Sequence, residues 1–134
     1  MLTELLIVWS GDKITFTKDD NADWTLEVNQ DRITDNVWLT RQNSRPIFNI
    51  VTESSSDRDN PGDTQWAIGK SNDIGNLSFG DFRDIFDNNI GNRVVGTDLV
   101  LYLVTDNVYI DIRFTQWTGD GDGGGFSYER STEN

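Results

Sequence analysis

Residues 98–117 read DLVLYLV, then TDN, then VYIDIRFTQW. Two runs of branched and aromatic residues flank the short turn Thr105-Asp106-Asn107. In the second run Val108, Ile110, Ile112 and Phe114 fall on one side, and Tyr109, Asp111, Arg113 and Thr115 on the other. Alternation of this kind sets one face against a core and the other toward water, as in a half-buried strand. The stretch predicts a β-hairpin, and its period of two is the key to the rest of the chain.

The same period recurs upstream. Lys13–Thr17 puts Ile14 and Phe16 together, and Trp24–Val28 does so for Trp24, Leu26 and Val28. Val37–Arg41, Ile47–Val51 and Gln65–Ile68 are short runs rich in branched and aromatic residues, and Phe126–Tyr128 closes the series. Such residues suit a pleated, half-buried surface. Leu5–Trp9 is continuously apolar. With Glu4 before it and neither a basic flank nor a small-residue cleavage site, it reads as a buried first strand rather than a signal peptide. Residues 52–64 are polar and contain Pro61-Gly62, a long surface loop. Leu77, Phe79, Phe82, Ile85 and Phe86 recur at three- and four-residue steps, which allows at most one short helix near 79–87. Eight to ten short strands with turn signals every ~8–12 residues predict an all-β fold, an antiparallel β-sandwich or jelly roll, with a closed barrel as the competitor.

Composition narrows the chemistry. The 134 residues fit one domain, 1–134. The chain has no cysteine and no histidine, which removes thiolate nucleophiles, disulfides, Cys-ligated metals, imidazole general bases and the Ser-His-Asp arrangement. A net charge of −12 argues against nucleic acid and anionic membranes as partners. No run approaches the ~20 apolar residues of a spanning helix, so membrane insertion is not expected. The acidic residues are 18 Asp against 5 Glu, with 13 Asn, a bias toward turns and caps rather than helices.

The block DNVYIDIRFTQWTGDGDGGGFSYERST, residues 106–132, resembles the C-terminal part of an uncharacterised family of bacterial β-domains. WSGDKITFTKDD, QDRITDNVWLTR and DTQWAIG earlier in the chain are similar to the same pattern. The family has no settled activity, and its members are mostly exported. The resemblance therefore implies a β fold and a secreted or cell-surface location, although no export leader is recognisable in this chain.

Three sets of residues are candidates for a site. Asp120 and Asp122 lie in the glycine-rich block 118–125, and Asp19, Asp20 and Asp23 crowd an earlier loop with Asn21. Hard carboxylate oxygens on flexible backbone are what Ca²⁺ takes; the plain alternatives are a hairpin loop and a solvated turn. Asp57, Asp59, Asn60 and Asp63 form a similar group. Among the aromatics, Trp24 and Trp38 share faces with aliphatic neighbours and are expected inside. Trp66 and Trp117 border loops and are the candidates for exposed rings that stack on sugars. Tyr109, Asp111 and Arg113 share the polar face of the hairpin and can hydrogen-bond a ligand, or simply one another's neighbours. A glycosidase-type carboxylate pair would have to use Glu27 and Glu53.

The leading expectation is a secreted or surface binding module without catalysis, recognising carbohydrate or another surface ligand, with calcium ordering its Asp/Gly loops. A self-assembling adhesive β-protein is the alternative, and a small glycan-active enzyme a more distant one.

Overall fold

The computed structural model describes residues 6–134, and the chain is an all-β sandwich of two antiparallel sheets. The strands are β1 (Val8–Trp9), β2 (Gly11–Lys18), β3 (Asp31–Thr34), β4 (Val37–Thr40), β5 (Phe48–Asn49), β6 (Thr64–Ile68), β7 (Asp98–Leu103), β8 (Val108–Trp117) and β9 (Phe126–Thr132). The larger sheet runs β2-β9-β8-β7-β6, with β1 added to β8 in parallel; the smaller runs β3-β4-β5. The 98–117 hairpin forms in register from Asp98↔Arg113 to Leu103↔Val108. Asn107 supplies the left-handed turn residue, φ 54°, a conformation asparagine tolerates well.

Alternation puts Leu99, Leu101, Leu103, Ile110, Ile112 and Phe114 on the inner face, where they meet Ile33, Val37 and Leu39 of the small sheet in one contiguous core. Two single-turn helices, α1 (Phe82–Ile85) and α2 (Ile90–Arg93), add Phe82, Phe86 and Ile90 to that core. Phe82 sits edge-on to Trp66, centroids 4.7 Å apart. The helix expected near 79–87 is α1. Helix α2 and the 3₁₀ stretches Glu27–Asn29 and Ser71–Asn76 are additional. Among the described residues no helix is long and apolar enough to cross a membrane.

The structure departs from the sequence expectation in several places. Residues 24–28 are not a strand but a turn leading into the 3₁₀ stretch, with Leu26 52% and Val28 75% exposed. Local hydrogen bonds outcompete pairing there: Asp23 Oδ1 accepts from the Thr25 amide and hydroxyl, and Asn29 Nδ2 and Gln30 Nε2 donate to the carbonyls of Asp23 and Trp24. Trp24 is consequently half-buried. Trp38 alternates away from Val37 and Leu39 onto the outer face, where the Arg32 guanidinium lies 3.8 Å over its ring. Of the first apolar run only Val8 and Trp9 form a strand, half-buried; Leu5 falls outside the described residues.

Candidate functional site

The inner faces of the two sheets carry charges at their margins. At one margin, Asp31 of β3 faces Tyr128 and Arg130 of β9. Its Oδ2 accepts from the Tyr128 hydroxyl at 2.5 Å and Arg130 Nε at 2.7 Å, while Oδ1 accepts from Nη2 at 2.9 Å. All three are buried. The site is saturated, tying the small sheet to the large one. Burial pulls the Arg130 guanidinium down, but the bonds and charge of Asp31 outweigh it and hold it above its ordinary value. Burial, reinforced by Asp31, pushes the Tyr128 phenol well above 10.0.

The other charged margin is different. Arg41 follows β4 directly, is 1% exposed, and lays its guanidinium 3.9 Å over the ring of Trp117 at the end of β8. Its Nε donates to the Arg45 carbonyl at 2.7 Å and its Nη1 to the Gly125 carbonyl at 3.0 Å. Among the described residues Nη2 makes no hydrogen bond and no carboxylate comes within ion-pair distance of this side chain. Among the described residues no fully buried side-chain nitrogen is left without a partner, so Nη2 keeps some solvent contact, and Arg41 lines the adjoining cleft. Burial lowers the Arg41 pKa to about 10, with Asp120 and Asp20 pulling it back from a distance. Lys18, also fully buried, is lowered by burial and then by Arg41. Among the described residues its Nζ has two long bonds, 3.4 Å each, to the carbonyls of Asp19 and Gly124.

The cleft has a volume of about 260 Å³ and lies between the loop after β4, the turn after β8 and the two helices. Four of the chain's eight arginines line it: Arg41, Arg45, Arg58 and Arg83. Arg83 is neutralised by Asp59, Nη1–Oδ1 3.0 Å, and its Nε donates to Asn88. Arg45 reaches only the Ser56 carbonyl, at 3.5 Å, and the Arg58 guanidinium has no partner among the described residues. The backbone makes these two unusual as well. Among the described residues seven non-glycine positions have positive φ; five are Asn or Asp, and the other two are Arg45 at 69° and Arg58 at 74°. A long side chain held left-handed is uncommon, and such outliers concentrate at functional sites.

The Asp/Gly loops brace this cleft. Asp20 Oδ1 accepts from the Thr118 hydroxyl at 2.6 Å and the Gly125 amide at 2.9 Å, which holds its carboxyl below the usual value. Asp120 Oδ1 accepts from the Arg45 amide at 2.9 Å, and Asp23 serves its own turn. The Asp122 amide closes a turn onto the Gly119 carbonyl, and Asp19 offers its carbonyl to Lys18. Among the described residues no group of three or more carboxylates is placed to hold a metal ion. The calcium expectation for Asp19, Asp20, Asp23, Asp120 and Asp122 therefore lacks a coordination set. The glycines serve close approach instead: a Cβ on Gly124 would stand 1.7 Å from the Gln42 carbonyl oxygen, and one on Gly123 would stand 2.6 Å from Asp20 Cβ. The later acidic group is similarly spent, Asp57 capping the amides of Asp59 and Asn60 and Asp63 accepting from Thr105.

The aromatic candidates divide. Trp66, expected at the surface, is fully buried because it occupies an inward position of β6; its indole donates to the Thr64 hydroxyl at 2.9 Å. Trp117 is half-buried, with Arg41 on its ring and its edge in the cleft. Tyr109, Asp111 and Arg113 do share the outer face of β8. Tyr109 stacks on Tyr102 at 4.5 Å with Phe79 edge-on, Asp111 receives the Ser71 amide and hydroxyl, and Arg113 approaches Asp98. Tyr109 and Asp111 pack the 71–80 segment onto the sheet, while Arg113 faces Asp98 of β7. Glu53 accepts the amides of Gly62 and Asn49, its carboxyl raised by burial, whereas Glu27 is exposed beside Arg32. Neither of these glutamates lines the cleft.

No family model, no curated protein and no solved structure matches this chain. The chemistry of the cleft is therefore read from its own residues.

Proposed function

We propose that this protein is a non-catalytic binding module that seats an anionic ligand in the arginine-lined cleft beside Trp117. One observation carries the reading: in a chain of net charge −12, half of the arginines converge on one cleft, and the innermost is buried with no carboxylate of the described residues in ion-pair range. A buried cation without a paired anion is costly. A ligand oxyanion accepting from Arg41 Nη2, Arg45 and Arg58 would lower that cost, and planar guanidinium forks suit oxyanions. A module of this kind would suit a cell exterior, where the sequence resemblance points.

The test is a thermal melt with sodium sulfate at millimolar concentration, set against sodium chloride of matched ionic strength. Binding to the folded state alone should raise stability saturably, by about 2.7 kcal/mol at a hundredfold excess over Kd. The Arg45→Gln/Arg58→Gln double variant should keep the native fold and lose the saturable part. Equal response of both proteins would leave only the general salting effect of sulfate and end the proposal.

A further inference from the structure

Resting on the anion-binding reading, we infer that the ligand is an acidic sugar, a ring that carries a carboxylate and several hydroxyls. The cleft is mixed rather than purely basic. Asp120 stands at its rim, and only Oδ1 is engaged, by the Arg45 amide; Oδ2 makes no hydrogen bond among the described residues. A carboxylate in an anion cleft repels a sulfate, which has no hydrogen to offer it at neutral pH. It accepts well from a sugar hydroxyl. Asn88, whose amide nitrogen remains to donate, and the exposed backbone at Gly91 add hydrogen-bonding groups to the lining.

Pro46, Ile90 and the edge of Trp117 give the cleft a small apolar patch of the kind that takes the C–H face of a pyranose. Arg41 lies over one face of the Trp117 ring and Phe82, Phe114 and Phe126 pack around it, which leaves little indole for a flat aromatic ligand to stack on. The volume, about 260 Å³, is below the ~300–1,000 Å³ of sites for drug-sized ligands, and suits one ring of a chain that continues into solvent. In this arrangement the uronate carboxylate meets Arg41 Nη2 and Arg58, and hydroxyls on the far side of the ring meet Asp120.

Isothermal titration decides the matter, with trigalacturonate and trimannuronate, the neutral trisaccharides cellotriose and maltotriose, and inorganic sulfate as probes. At least one tri-uronate should bind about tenfold or more tighter than either neutral sugar or sulfate, about 1.4 kcal/mol. Arg58→Gln, a change at an exposed side chain, should weaken it by a similar factor. Asp120→Asn gives the sharper readout: it should weaken the tri-uronate and strengthen sulfate. Sulfate binding as tightly as the tri-uronates, or Asp120→Asn strengthening both alike, would overturn the sugar inference and leave the anion reading standing. Heatless titrations with sulfate and both tri-uronates would overturn both, as would a tri-uronate affinity indifferent to Arg58→Gln.

Discussion

Glycine 124 shows how much one position can require. Its φ is +75°, and any side chain would collide with the Gln42 carbonyl, so two independent constraints exclude every other residue. Gly124→Ala should destabilise the fold by about 2–4 kcal/mol, a combination of left-handed strain and a forced backbone shift. Gly75→Ala, where the added methyl meets nothing within 4 Å and φ is not positive, should fall within about 0.5 kcal/mol of the parent. Urea unfolding of the two variants checks the contrast, and equal losses would refute the assignment of the loop as a close-approach clamp. Tyr128 makes a second residue-scale prediction. Its phenol is raised in the folded state, so its contribution is complete below the ordinary value of 10.0 and is lost as pH climbs through the folded value. Tyr128→Phe should therefore be less stable at neutral pH by about 1.5–3 kcal/mol, the worth of a hydrogen bond to a charged group. The gap to the parent should narrow above about pH 10, where the unfolded parent ionises first. Parallel stability curves up to pH 11 would contradict this.

Between elements, the strongest polar tie is the Asp31–Arg130 pair joining β3 to β9, each side chain 7% exposed. Removing one partner strands the other charge, so Asp31→Ala and Arg130→Met should each cost about 3–5 kcal/mol. Replacing both with Leu and Met should cost much less than the sum. A double-mutant cycle measures the coupling, and additive losses would show the pair to be independent. Elements also divide what the sequence tells from what it withholds. The β7–β8 hairpin is legible because its alternation, its turn and its partner lie within twenty residues. Residues 24–28 alternate equally well, but side-chain bonds from Asp23, Asn29 and Gln30 satisfy their backbone locally and no strand lies alongside. Trp66 and Trp117 look alike in sequence, each near a loop; alternation within β6 buries the first, while the register shift between Phe114 and Gln116 turns the second inward, beside the cleft. The arginines are invisible to any local reading. Arg41 and Arg83 stand far apart along the chain and meet only because the turns after β4 and β8 and the helix α1 share one end of the sandwich. The glycine-rich block does carry a signal, which the fold uses for tight backbone packing at Gly123 and Gly124.

At the scale of the whole molecule, the order of strands sets the order of assembly. β1 runs parallel to β8, and the chain then crosses to pair as β2 with β9, which lies between β2 and the later part of β8. Gly11 pairs with Thr132 and Lys18 with Phe126, partners more than a hundred residues apart. Closing loops of that length comes before any reward from the contacts, so refolding should fall in the millisecond-to-second range of all-β domains rather than in microseconds. Stopped-flow tryptophan fluorescence would measure it, and a microsecond phase carrying the full amplitude would refute it. The central place of β9 has a consequence for biosynthesis. Until residues 126–132 have left the ribosome, β2 has no neighbour and Asp31 has no arginine to face. The first half of the chain must therefore be kept from aggregating while it waits for the last strand, and its dense negative charge is well suited to holding nascent copies apart in that interval.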